Sequence, residues 1–128
     1  MQIVAALYID DMELRQVPGP STRIDLNGVQ FSGPSPAPLP VTITPHLVVI
    51  VRNEPGASPT GALEVVFRRG DVQIARNVQP VEVEPGKFAY RLVRGELEFD
   101  EPGTVEAHCR IDQGPATVVP YTLLDPVD

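Results

Sequence analysis

Residues 46–52 read His-Leu-Val-Val-Ile-Val-Arg. Leu47, Val49 and Val51 stand at alternate positions, and the residues between them are apolar as well. Alternation with a period of two is typical of a β-strand, and apolar side chains on both faces are typical of a strand in the middle of a sheet. The run therefore predicts a central strand.

Shorter runs with the same alternation lie on both sides of this strand. They end at Gly, Pro or Asp, which favour turns, and no stretch shows the period of a helix. Seven or eight short strands, spaced by roughly 8–12 residues, are typical of an all-β, immunoglobulin-like antiparallel β-sandwich. We expect a single domain over residues 1–128. The other runs cover residues 3–9, 63–67, 72–74, 81–83, 88–92, 97–99, 105–111 and 117–123.

The segment 12–40 departs from this pattern, since prolines stand at positions 34, 36, 38 and 40. Proline cannot donate a hydrogen bond to a sheet, and alternate prolines favour an extended polyproline II conformation. We expect residues 12–40 to form a long, irregular, proline-rich N-terminal strap. A weak hairpin around Asn27-Gly28 is the one exception that the turn residues suggest.

An apolar strip is expected on the outer face of the central sheet. Val4, Ala6 and Val66 have the strand parity that matches Val48 and Ile50, opposite the core. Because a monomer seldom leaves a large apolar patch bare, either the strap or a second subunit should cover it. Phe31 and Leu39 are the expected anchors of the strap. The candidate interaction surface therefore comprises Val48, Ile50, Val66, Phe31 and Leu39.

Composition excludes several classes of protein. The balance of 17 acidic against 10 basic residues gives a net charge of −7, which argues against binding nucleic acid or an anionic membrane. No run approaches the ~20 apolar residues of a membrane span. The N-terminal run has no preceding base and ends at Asp10-Asp11, unlike a secretory signal. With one Cys, a reducing cytoplasm is expected.

No catalytic residue and no cofactor is expected. The pair His108-Cys109 suggests a nucleophile with its base, but neighbouring strand residues point to opposite faces. Cys109 shares the parity of Val105 and Ile111, so we expect a buried thiol and an outward-facing histidine. No Ser lies in a Gly-x-Ser-x-Gly motif.

Two groups of carboxylates are the candidate metal ligands, Asp10 with Asp11 and Asp100 with Glu101. Glu96 and Glu98 share the parity of Asp100 and form an acidic row. We expect a solvated face whose charges are offset by Arg91, Arg94 or Arg110, because calcium requires six to eight convergent oxygens. Calcium binding by the row is the alternative.

The order of these features resembles a family of small, single-domain bacterial proteins with no assigned function. The residues that carry the resemblance are 5–11 with their Asp-containing turn, the apolar strand 45–52 ending in Arg, and the closing run 102–123. Gln113 interrupts the Asp-Gly pair of that pattern, and Val105 stands where an aromatic residue is usual. The resemblance implies the sandwich fold and no catalytic residues.

These observations favour a non-enzymatic interaction or structural module of the bacterial cytoplasm. Its partner is an unknown protein or a second copy of the chain. A small-ligand or calcium-binding sandwich is the first alternative. A phage or particle-coat component and a hydrolase are the others.

Overall fold

The computed structural model describes residues 1–19 and 21–127. Within these ranges the regular structure consists of eleven strands, with no helix and hence none long and apolar enough to cross a membrane. The strands are β1 (Gln2–Arg15), β2 (Arg23–Gln30), β3 (Ser32–Pro34), β4 (Val41–Ile43), β5 (His46–Arg52), β6 (Thr60–Arg69), β7 (Val72–Glu82), β8 (Phe88–Arg94), β9 (Leu97–Phe99), β10 (Gly103–Ile111) and β11 (Thr117–Leu124).

The strands form two larger sheets and one small one. The four-stranded sheet has the order β2-β1-β5-β8, and the five-stranded sheet has the order β3-β11-β10-β6-β7. β4 pairs with β9. All pairs are antiparallel except β3 with β11. The prediction of an all-β protein is therefore confirmed, and β5 is an internal strand, as its two apolar faces indicate.

Both larger sheets contribute side chains to one hydrophobic core. Leu47, Val49 and Val51 enter it from β5, and the Tyr8 ring of β1 lies 5.4 Å from the Tyr121 ring of β11. Alternate residues of β6 and β10 enter it as well, so the parity predicted for these strands is confirmed. They are Leu63, Val65, Phe67, Val105, Ala107 and Cys109.

The predicted alternation fails in β1. The pattern of residues 3–9 places Ala5 and Leu7 toward the core, but the structure places Ala6 and Tyr8 there. The pairing of β1 with β5 shifts register between Ile3 and Ala5. Such a bulge adds one residue to a strand and moves every later side chain to the opposite face. Ala6 is therefore a core residue rather than part of an outer strip.

The segment 12–40 is more regular than predicted. β1 continues to Arg15, and β2 pairs with it from Gln30 opposite Tyr8 to Arg23 opposite Arg15. The prediction of irregular structure is wrong for β2, because Pro18 precedes this strand, the alternate prolines begin at position 34, and residues 21–31 contain no proline. The predicted hairpin is also wrong, since Asn27 and Gly28 lie inside β2.

Candidate functional site

The outer face of the four-stranded sheet carries the two residues predicted there on β5. Val48 is fully buried and Ile50 is half-buried. In the pairing with β8, Leu92 lies opposite Val48 and Tyr90 lies opposite Ile50. This face is therefore apolar across two adjacent strands.

The hairpin formed by β1 and β2 borders this apolar face. Ile24 in β2 and Thr22, just before that strand, line a groove together with Ile50. β2 is an edge strand of this sheet, so this part of the segment 12–40 borders the apolar face and does not cover it as predicted. Its residue on the groove is Ile24, which the sequence analysis did not select.

The predicted anchors lie elsewhere. Phe31 has 74% of its surface exposed, so the prediction that it packs on the sheet is wrong. Its carbonyl accepts a hydrogen bond from the backbone N–H of Thr122 at 3.2 Å, which holds the backbone on β11 while the ring stays in solvent. Leu39 is half-buried, but it packs against the main core and not against Val48 and Ile50.

Val66 does not belong to the same surface either. It lies on β6 in the five-stranded sheet, opposite His108 of β10. The prediction of one continuous strip with Val48 and Ile50 is wrong, because the chain passes from one sheet to the other between β5 and β6.

Two adjoining depressions lie along β8. A volume of about 250 Å³ lies over Ile24 and Ile50, and an adjoining volume of about 330 Å³ follows β8 to Leu92. The two share Thr22 and residues 88–90. We call this pair of depressions the β8 groove.

The parity of β8 explains why its groove is apolar. Ala89 and Val93 pack toward the core, so the larger residues Phe88, Tyr90 and Leu92 face outward. Phe88 is 66% exposed and Leu92 is 41% exposed. Sequence reasoning missed this surface because it assigned residues 88–92 to a strand without deciding which face of that strand is buried.

The backbone edge of β8 is protected in part by Arg91. Within the described ranges, β5 is the only strand that pairs with β8. Arg91 donates from Nη1 to the carbonyl of Tyr90 at 2.9 Å and from Nε to the carbonyl of Pro80 in β7 at 3.2 Å. A charged side chain on edge carbonyls hinders the addition of another strand. The groove, rather than the whole backbone edge, is therefore the accessible feature.

The strand that lines the groove carries positive charge although the chain is acidic overall. β8 contains Arg91 and Arg94 and no acidic residue. Arg94 donates to Thr44 Oγ1 at 3.5 Å and forms no ion pair among the residues that the structure describes. Against a net charge of −7, this local excess of positive charge favours an acidic partner.

The candidate metal ligands do not converge. In the two described ranges, no three His, Cys, Asp or Glu side chains are grouped so that they could hold an ion. Asp10 Oδ1 accepts a hydrogen bond from Gln30 Nε2 within the hairpin, and Asp11 is exposed beside it. Asp100 and Glu101 are exposed in the turn that follows β9. Nothing in this geometry supports a calcium site.

The acidic row faces solvent as predicted, but its predicted partners are wrong. Glu96, Glu98 and Asp100 are exposed, and none of them forms an ion pair in the part of the chain that the structure describes. Arg110 instead contacts Glu64 on β6, because that acid is its cross-strand neighbour.

The structure confirms the predicted orientation of the His108-Cys109 pair. Cys109 is 0% exposed, and burial raises the pKa of its thiol to about 12. His108 lies on the outer face of the same strand, 3.5 Å from Glu106 Oε1. A protonated, inaccessible thiol on the other face from the histidine does not make a nucleophilic pair.

Comparison of the chain with protein-family models, curated proteins and solved structures gives no match. The function is therefore argued from the geometry of the chain's own residues.

Proposed function

We propose that this chain is a non-enzymatic interaction module on an immunoglobulin-like β-sandwich, and that its β8 groove binds a segment of a partner protein. The observation that carries the proposal is the outward-facing row of Phe88, Tyr90 and Leu92 beside Ile50. Exposed apolar side chains grouped around a depression are typical of docking sites. Sheets of four and five strands around one core support the sandwich.

The partner segment carries an apolar side chain flanked by acidic ones. The apolar side chain fits the volume over Ile24 and Ile50, where it would displace water from Phe88 and Tyr90. Its acidic neighbours meet Arg94 and the other basic groups along β8. A second copy of this chain is disfavoured at this groove, because two antiparallel β8 strands would bring their arginines together.

The proposal keeps the bacterial cytoplasm as the compartment, as the sequence and the resemblance imply. The burial of Cys109 supports a non-enzymatic role, since the chain's only thiol is unavailable as a nucleophile. Among the residues that the structure describes, the candidate carboxylates do not group into a metal site, so we favour a protein partner over calcium.

Binding of a model peptide tests this proposal. The probe is a fluorescent peptide in which leucine and valine alternate with glutamate, and the comparison peptide has lysine in place of glutamate. We expect the acidic peptide to bind more tightly, measured by fluorescence anisotropy at a fixed salt concentration. Equal affinity for both peptides would contradict the predicted charge preference.

Phe88→Ala should weaken binding of the acidic peptide by about tenfold, because truncating an apolar side chain at a docking site commonly costs over 1 kcal/mol. Val118→Ala is the matched control, since Val118 is an exposed apolar residue on the other large sheet, with 44% of its surface in solvent. Equal affinity of the two variants would exclude the β8 groove as the docking site. A dimer in light scattering that Phe88→Ala dissociates would assign the groove to a second copy instead.

A further inference from the structure

The outer face of the five-stranded sheet gathers three of the nine arginines in the chain. Arg68 lies on β6, Arg76 on β7 and Arg110 on β10. Strand register places them around the pair formed by Val66 and His108. Because like charges repel, such a grouping is stable only with nearby anions.

The protein supplies one of those anions, Glu64. Its Oε2 accepts from Arg76 Nη2 at 2.7 Å, and its Oε1 accepts from Arg110 Nε at 2.8 Å. These bonds lower the pKa of Glu64, so the carboxylate stays ionised. Glu106 lies opposite Arg68 in the strand register, so the three guanidinium groups face two carboxylates and one positive charge stays uncompensated.

Two further nitrogen-bearing side chains on this face lack a protein partner. Arg68 forms no ion pair or side-chain hydrogen bond within residues 1–19 and 21–127. His108 Nε2 is buried and without a hydrogen-bond partner there, and Glu106 Oε1 at 3.5 Å is too far for a good one. A buried polar atom without a partner costs free energy, which a bound ligand can recover.

These groups border a cavity of about 150 Å³ lined by Glu64, Val66, Arg68, His108, Arg110 and Ala116. Arg68 and Arg110 stand on opposite sides of the Val66–His108 pair. Positions two residues apart on a strand are separated by roughly 7 Å, so both side chains can reach a group bound between them. The cavity is smaller than the ~300 Å³ at which sites for drug-sized ligands begin.

We propose that this cavity binds a small oxyanion, a phosphate or carboxylate group, held by Arg68 and His108 with Arg110 on the opposite side. The planar guanidinium presents paired donors that match either oxyanion. Val66 forms an apolar floor, which strengthens the charge interactions above it. This site is separate from the β8 groove, which lies on the other large sheet.

Titration with inorganic phosphate tests the proposal, with the ionic strength held constant by sodium chloride. In NMR spectra of the unaltered protein, we expect saturable shifts of the Arg68 Nε–Hε signal and of the His108 ring. A second titration with acetate distinguishes the source of the oxyanion. Saturation by phosphate alone assigns a phosphate group, and saturation by both assigns a site that also accepts carboxylates.

Arg68→Gln should weaken phosphate binding by roughly tenfold or more, since losing a hydrogen bond between charged groups lowers affinity by about that factor. Arg23→Gln is the matched control, because it removes one exposed arginine from β2 on the other large sheet and should leave the affinity unchanged. Shifts that fail to saturate in the unaltered protein would overturn the proposal, and so would equal phosphate affinity of the two variants.

Discussion

Cys109 is the only cysteine of the chain, so a thiol reagent reports on this one position. Its side chain is 0% exposed, and burial raises the pKa of the thiol to about 12. Because the thiolate is the reactive form, we expect labelling by a bulky aromatic disulfide at pH 8 to be roughly a hundredfold or more slower in the native protein than in guanidinium chloride. Equal rates in the two conditions would contradict the placement of Cys109 in the core.

Glu64 predicts a pH dependence of stability. Hydrogen bonds first from Arg76 and then from Arg110 lower its pKa below the ordinary 4.5. The unfolded chain therefore binds more protons than the folded chain near pH 4. The contribution of Glu64 to the free energy of unfolding is complete above pH 4.5, and it is lost as the pH falls through the folded-state pKa. From about pH 5 to pH 3, the free energy of unfolding should fall less in Glu64→Gln than in the unaltered protein.

Glu96→Gln is the control for this pH dependence, since Glu96 is exposed and unpaired in the described part of the chain. Between pH 5 and pH 3, the free energy of unfolding of Glu96→Gln, measured in denaturant titrations, should fall as much as that of the unaltered protein. An equal fall in Glu64→Gln would show that the bonds to Arg76 and Arg110 do not persist in solution.

The stabilities of two Phe→Ala variants distinguish the strap hypothesis from the observed fold. The strap hypothesis predicted that Phe31→Ala costs about 3 kcal/mol, but the ring is 74% exposed, so we expect a change within about 0.5 kcal/mol. Phe99 is 0% exposed, and Phe99→Ala should cost about 3–5 kcal/mol. Chemical denaturation measures both, and a large loss in Phe31→Ala would mean that the segment packs differently.

At the level of the element, Gly28 lies inside β2 in a backbone conformation that favours glycine. Its φ is +66°, and a Cβ placed there would meet the Asp10 carboxylate. We expect Gly28→Ala to destabilise the protein by about 1–2 kcal/mol, because a side chain is strained in this conformation. Gly103→Ala is the control, since a Cβ there meets nothing within 4 Å. Equal stability of the two variants would argue against this backbone conformation at Gly28.

Strand patterns were predictable where the side chains alternate without interruption. Residues 63–67 and 105–111 pointed to the correct core face because apolar and less apolar positions alternate there, whereas residues 47–51 are apolar on both faces and predicted only a central strand. The core face of β1 was predicted wrongly because no residue type in the sequence signals the bulge that follows Ile3. The buried face of β8 was not predicted, because apolar side chains occur on both of its faces and only its neighbours decide which one is buried.

At the level of the whole molecule, the pairing of strands decided which predicted site residues meet. The sequence predicted Val48 and Ile50 on one outer face, which the structure confirms. Val66, Phe31 and Leu39 were assigned to the same surface without knowledge of which sheet each would join. Strand alternation specifies a face but not a partner strand, so the β8 groove became visible only with the topology.

The central claim is that the β8 groove is the surface by which this chain binds a protein partner. The most direct test is an amide NMR titration with the acidic peptide, because it reports where the peptide binds. Our account predicts that the largest shifts occur at residues 88–92 and at Thr22, Ile24 and Ile50, with little change on the outer face of the five-stranded sheet. Shifts concentrated around Arg68 and His108, or no saturable shift at any amide, would contradict it.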